Sequence, residues 1–248
     1  MHRIGTAGWS LPKGSVGEGS RLERYSRVLC CAEINSSFYR VHRASTWARW
    51  ATETPADFRF SIKAAKTITH EAKLRGAEPL LRAFLEQIQP MEGKAGPLLF
   101  QLPPSLAFDR SVAEEFLGTL RALYPGEAVL EPRHASWFTP EAEELLREQR
   151  IARVAADPAK GAPGIAERIP SPGGDTSVSY FRLHGSPRVY YSSYGEDFLS
   201  ALAARMSGYA NCWIIFDNTV LSHAFENAVR LRELIRESLL ERRRAEAG

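Results

Sequence analysis

The stretch 127-EAVLEPRHASWFTPEAEELLREQRIARVAAD-157 contains the unit from which the fold is read. It opens on a short apolar run, Ala128, Val129 and Leu130, of strand length. Thr139 and Pro140 then mark a helix start, a hydroxyl N-cap followed by proline at the first helical position. The run 151-IARVAAD-157 reads as a second strand. Strand, helix and strand in that order build a parallel sheet with helices against its faces. The first strand, however, ends on Glu131, Pro132, Arg133 and His134, three ionisable groups in four residues. An unpaired buried charge is very expensive, so this strand end must meet partners or a ligand.

The same alternation runs along the chain. Strand patterns fall at 3–8, 29–36, 57–64, 97–103, 127–133, 151–157, 178–185 and 212–218. Helical patterns fall at 20–28, 45–52, 78–89, 110–123, 139–149, 196–207 and 222–243, the last with Ala224, Ala228, Leu231 and Leu234 at helical spacing. Eight strands alternating with seven helices is the count of a closed (β/α)8 barrel, an α/β fold in which residues 1–248 form one domain. An open doubly wound sheet is the competitor, but no Gly-x-Gly-x-x-Gly follows any strand. The segment 158–177 is long for a loop without structure of its own and is expected to be functional or mobile.

Composition narrows the class. The chain has 248 residues, 44% hydrophobic and 25% charged, as in an ordinary globular protein. No apolar run approaches the roughly 20 residues of a membrane span, and MHRIGTAGWS lacks the apolar block of a signal peptide, so a cytoplasmic protein with no membrane partner is expected. Cys30, Cys31 and Cys212 lack a disulfide or metal-binding spacing and read as small buried side chains. A net charge of +3 tolerates anionic ligands but does not by itself argue for nucleic acid.

Side chains alternate along a strand, which tests where each charge points. In 57–64, Phe58, Phe60 and Ile62 oppose Arg59, Ser61 and Lys63; in 178–185, Phe181 and Leu183 oppose Tyr180, Arg182 and His184. If the apolar face meets the helices, the polar face looks into the barrel. Glu33, Asn35, Lys63, Gln101, Glu131, Arg133, Asp157, Arg182, His184 and Asp217 then converge at the C-terminal strand ends, where barrel enzymes carry their sites. A structural ion-pair lattice is the plain alternative, although desolvating so many charges merely to fill space is costly.

Seven motifs carry a resemblance: GTAGWS at 5–10, EINSSFYR at 33–40, FRFSIKAAKTITH at 58–70, FQLPPS at 100–105, EPRHASWF at 131–138, RLHGS at 182–186 and FDN at 216–218. In this order they resemble the domain-of-unknown-function family 72, also called YecE-like. The resemblance implies a TIM-type barrel and names no activity. Members often carry a further Trp after GWS, where this chain has LPKGSVGEGS, and many carry Asn-Asn where it reads Asp217-Asn218.

The residue types point to anion chemistry. Arg133 and Arg182 can grip a phosphate or carboxylate in a bidentate fork, with Lys63 as a third cation. Glu33, Glu131 and His184 are the candidates for proton transfer, with Arg133 keeping Glu131 ionised. Asn35, Gln101, Asp157, Tyr194 and Asp217 complete the expected binding set. Tyr194 belongs to the aromatic cluster 188-RVYYSSYGED-197, and Trp9, Phe38, Tyr39, Trp137, Tyr190 and Tyr191 also follow strand ends. A divalent metal is a second use of the histidines and carboxylates, but no His-x-His or Glu-x-x-His spacing concentrates ligands and nearby cations oppose it. No other cofactor is indicated. The leading reading is an enzyme of hydrolase, isomerase or lyase type acting on a small phosphate- or sugar-type anion. A nucleic-acid (phosphodiester) binding or processing protein and a non-catalytic ligand-binding module use the same pocket.

Overall fold

Short apolar strands separated by helices satisfy their backbone groups by pairing side by side, with the helices covering the outer face. A computed structural model describes residues 2–91, 93–158 and 170–246 and has this arrangement. The strands are β1 (His2–Ala7), β2 (Cys31–Ile34), β3 (Arg59–Lys63), β4 (Ala95–Gln101), β5 (Ala128–Glu131), β6 (Ala152–Arg153), β7 (Ala155–Asp157), β8 (Gly173–Gly174), β9 (Ser179–Leu183) and β10 (Cys212–Phe216). Around them lie α1 (Arg21–Ser26), α2 (Ala44–Thr52), α3 (Glu78–Ile88), α4 (Arg110–Leu123), α5 (Pro140–Glu148), α6 (Glu196–Met206) and α7 (His223–Glu246). The helix starts follow their cap chemistry. Ser20 and Glu23 form a capping box on α1, Asp109 caps α4, and Thr139 caps α5 ahead of Pro140.

From β9 through β10, β1, β2, β3 and β4 to β5, each strand pairs in parallel with the next. The expected strand 151–157 is divided at Val154. Its first half, β6, pairs with β5, and its second half, β7, pairs with β9 at the far end of the sheet. The result is a mixed α/β fold on a nearly closed, barrel-like sheet of ten strands. The two-residue β8, which the sequence reading left inside a loop, pairs antiparallel to β6. Residues 159–169 of that expected loop lie outside the described residues.

The sheet has two apolar sides. Phe58, Phe60, Ile62, Phe181 and Leu183 face outward into the core shared with the helices. Inside lies a second, smaller core of Cys31, Leu99, Val129, Val154, Tyr180 and Trp213. Cys31, Val129 and Tyr180 precede Glu33, Glu131 and Arg182 by two residues on the same strand faces, so these charged strand ends sit above an apolar floor. Tyr180 and Trp213 stack within it, ring centroids 6.3 Å apart.

Gly5 allows β1 to lie close against β2, because a Cβ there would overlap the Cys31 carbonyl. Backbone cannot yield as a flexible side chain does. Gly5→Ala is expected to lower the unfolding free energy by about 3 kcal/mol in urea titrations, the cost of overpacking. A loss below about 1 kcal/mol would mean that the two strands separate easily.

Candidate functional site

The strand ends bring a charged cluster together above the apolar floor. Arg182, on β9, is 1% exposed and stands at its centre. Its Nε and Nη2 donate to Glu33 on β2 at 2.9 and 2.8 Å, and its Nη1 donates to Glu131 on β5 at 3.1 Å. Nη2 also lies 3.0 Å from Asp217, just after β10. One guanidinium therefore ties together carboxylates from three other strands. Tyr180 reaches up from the inner core, its hydroxyl placed 3.1 Å from Glu33 and 2.7 Å from Ser61 Oγ.

His184 is buried between two carboxylates, with Nδ1 3.0 Å from Asp217 and Nε2 2.9 Å from Glu131. Arg133 pairs with Glu131 and brings its Nη2 to 2.7 Å from the same Nε2. The ring can thus be served in two ways. With both nitrogens protonated it donates to both carboxylates; with Nδ1 alone protonated it donates to Asp217 and accepts from Arg133.

Burial by itself would raise the Glu131 carboxyl, but Arg133, Arg182 and His184 overcome it and hold the group well below the usual carboxylate range. Asp217 is lowered in the same way, burial opposing and Arg182 and His184 prevailing. Both stay ionised at neutral pH, which suits a base or a fixed counterion rather than an acid.

Lys63, at the end of β3, is different. It is 5% exposed, yet among the described residues its ammonium has no carboxylate within 4.0 Å and no hydrogen bond. Instead it lies over the Phe38 ring, 4.2 Å from the centroid. Burial, then Arg182, push its pKa down to about 8 against the pull of Glu33, Glu131 and Asp217. Arg133 is also incompletely used, since its buried Nε has no hydrogen-bond partner among the described residues.

The sequence reading placed ten residues on the inner face. The structure brings Glu33, Lys63, Glu131, Arg133, Arg182, His184 and Asp217 into one cluster. Asn35 and Gln101 lie at strand ends, partly exposed, and among the described residues the buried Asn35 Oδ1 has no hydrogen-bond partner. Asp157 is a correction. Val154 and Ala156 belong to the inner core and Ala155 to the outer one, so Asp157 faces outward with Ala155. There its carboxylate accepts a hydrogen bond from Tyr194 at 2.6 Å, and burial raises its pKa. Tyr194, expected to touch a ligand, is 6% exposed and stacks on Phe198 beneath the loop.

The aromatic positions also separate. Trp9 packs on Trp50 and Phe60, and Trp137 on Phe108, so both serve the outer core. Phe38 and Tyr190 meet the charged cluster, Phe38 over Lys63 and Tyr190 with its ring 5.9 Å from that of His184. Tyr190, which the sequence reading left outside its binding set, sits at φ 70°, a left-handed conformation costly for a tyrosine. The loop that holds it there is anchored by Asn218 of the FDN motif, whose Nδ2 donates to Ser192 O and Asn227 Oδ1, each at 2.9 Å. Among the described residues no group of three or more His, Cys, Asp and Glu is placed to hold a metal ion.

A family profile described as "Protein of unknown function DUF72" matches residues 3–247. The chain is similar to UPF0759 protein YecE of Escherichia coli K12, 32% identical over 165 residues that cover 63% of this chain and 59% of that one. It is also similar to UPF0759 protein YunF of Bacillus subtilis, 26% identical over 200 residues, 75% of this chain and 70% of that one. The match therefore spans less than two thirds of the length of the E. coli relative. Two crystal structures share the fold. A DUF72 family protein of Enterococcus faecalis superposes with a TM-score of 0.79 at 21% identity, covering 95% of this chain and 96% of the other. One of Thermotoga maritima superposes with 0.76 at 24%, covering 95% and 99%. Among the described residues no helix is long and apolar enough to cross a membrane.

Removing the hub should be costly. Arg182→Met leaves three buried carboxylates without their shared donor, and about 3–5 kcal/mol of stability should be lost at pH 7. Glu131 and Asp217 have folded values below their unfolded ones. Their contribution is therefore complete above the ordinary carboxylate pKa of about 4 and disappears as the pH falls through the folded values. The gap between parent and Arg182→Met should narrow below about pH 4 in urea titrations. A gap that does not change with pH would mean that these carboxylates are not the source of the cost.

Proposed function

The chain belongs to the DUF72 family, and we propose that it is a (β/α)8 barrel whose C-terminal rim takes a small molecule bearing a phosphate or carboxylate. The single-domain barrel reading follows from counting Ala152–Asp157 as one strand, which joins β5 to β9 and gives eight parallel strands with β8 outside. The C-terminal ends of such strands are where barrel enzymes place their chemistry.

The ammonium of Lys63 carries the reading. A largely buried cation that stands outside any ion pair or hydrogen bond keeps donors that a ligand can engage. Arg182, by contrast, has spent its donors on Glu33, Glu131 and Asp217 and acts as the frame. With Lys63 protonated, three cations and three carboxylates cancel, so the anion is held locally by Lys63 and the unused Nε of Arg133 rather than by a broad positive field. His184, with Glu131 and Asp217 on its two nitrogens, is the proton-transfer group. Phe38 and Tyr190 flank the position and suit the flat or apolar part of a small metabolite.

Thermal melting against phosphate, sulfate, sugar phosphates, dicarboxylates and short oligonucleotides tests this. A small anion at a hundredfold excess over Kd should add about 3 kcal/mol of stability, and Lys63→Met should abolish the effect. Lys63→Met should itself cost much less stability than Arg182→Met, because it breaks no ion pair. Anion affinity should decline as the pH rises through about 8, where Lys63 loses its proton. Stabilisation by oligonucleotides alone would favour the phosphodiester reading. No stabilisation by any of them would leave the cluster a structural lattice.

A further inference from the structure

Lys63 offers more than charge. We propose that it is a nucleophile whose amine forms an imine with an aldehyde or an oxo acid bound at the rim. The inference rests on the site proposed above and narrows its ligand to a carbonyl compound that also bears a phosphate or carboxylate.

The geometry separates Lys63 from ordinary lysines. Structural lysines keep their proton because a carboxylate or carbonyl holds it. Lys66 is half exposed and pairs with Glu71 at 2.9 Å, and Lys94 donates to the carbonyls of Thr54 and Pro55. Lys63 has neither kind of partner, and its neighbouring carboxylates are committed to Arg182, Arg133 and His184. The Phe38 ring against it excludes water from one side without accepting its proton. Lysines used as nucleophiles are activated by such desolvation beside another cation, and Arg182 is that cation here. A pKa of about 8 leaves on the order of one molecule in ten with a neutral amine at pH 7.

The step balances with the groups present. The Nζ lone pair attacks the carbonyl carbon, a C–N bond forms, and the carbonyl π pair moves to oxygen, which takes up a proton. The nitrogen gives up its protons as the hydroxyl is protonated and leaves as water, and a C=N bond replaces C=O. His184 can supply and recover those protons, since Asp217 lies 3.0 Å from its Nδ1 and is also near enough to Lys63 for each to bias the other's ionisation. The unused Nε of Arg133 and the partly exposed Gln101 remain for the anionic end of the ligand.

Borohydride trapping decides the matter, because hydride reduces an imine to a stable secondary amine. The full chain would be treated with sodium borohydride together with glyoxylate, glyceraldehyde 3-phosphate or pyridoxal 5′-phosphate, and each lysine peptide would be quantified by mass spectrometry. One adduct is expected, on Lys63, at least tenfold above Lys13, Lys66, Lys73, Lys94 or Lys160, with its rate rising through about pH 8. Lys63→Arg should lack it. Mapping on the parent decides the question even if that variant fails to fold. Adducts spread over the other lysines, or none on Lys63, would overturn the imine. If sulfate still stabilises the parent in that case, the anion site stands alone. If Lys63 is trapped but neither sulfate nor phosphate competes, the imine stands and the anion reading falls.

Discussion

A guanidinium buried inside a sheet constrains everything near it, because each of its N–H groups must find an acceptor that is itself buried. Arg182 meets that demand with Glu33, Glu131 and Asp217, drawn from or just beyond β2, β5 and β10. The pairing fixes more than charge. It requires those strands to present their C-terminal ends at one level, and therefore sets their register around the interior. The apolar floor of Tyr180, Trp213, Val129 and Val154 below it keeps water from replacing these bonds. An apolar filling of the same shape often stabilises such a position as well or better, so stability alone does not account for the ionic hub.

With the frame accounted for, the remaining groups stand out. Three cations lie in the cluster, and they differ in how much of their hydrogen-bonding capacity is spent. Arg182 is committed to three carboxylates, Arg133 partly so, and Lys63 not at all among the described residues. This gradation does not follow burial, since all three are under a tenth exposed. Lys63 keeps its place through backbone and ring contacts instead. Ser37 Oγ donates to its carbonyl at 2.6 Å, and Phe38, on the same short turn after β2, covers its side chain. The EINSSFYR motif thus supplies Glu33 to the hub and Phe38 to the free lysine.

The loop after β9 makes a parallel use of its sequence. Gly185, at φ 92°, turns the chain where a side chain would crowd the Ser192 carbonyl. Asn227 on α7 accepts from the Tyr194 amide and from Asn218, which pins the loop to the last helix. Held at both ends, the loop carries Tyr190 over His184 in a backbone conformation it would not choose alone. Two aromatic rings thus meet the charged cluster, Phe38 at Lys63 and Tyr190 at His184.

The sequence by itself determined the order of most strands and helices, because the period of apolar residues and the cap at Thr139 are local properties. It also determined which strands carry inward charge wherever one face was plainly apolar, as in β3 and β9. It failed at 151–157, where Val154 and Ala156 turned inward and Arg153 and Asp157 outward. Both faces of a parallel strand are buried, so alternation there gives a period without a direction, and Glu143 on α5 gives Arg153 an outer partner. Nor could sequence distinguish Lys63 from Arg182, since alternation places both inside. Which cation finds three carboxylates and which finds an aromatic ring depends on distances between strands far apart in the chain, and only the tertiary structure decided that.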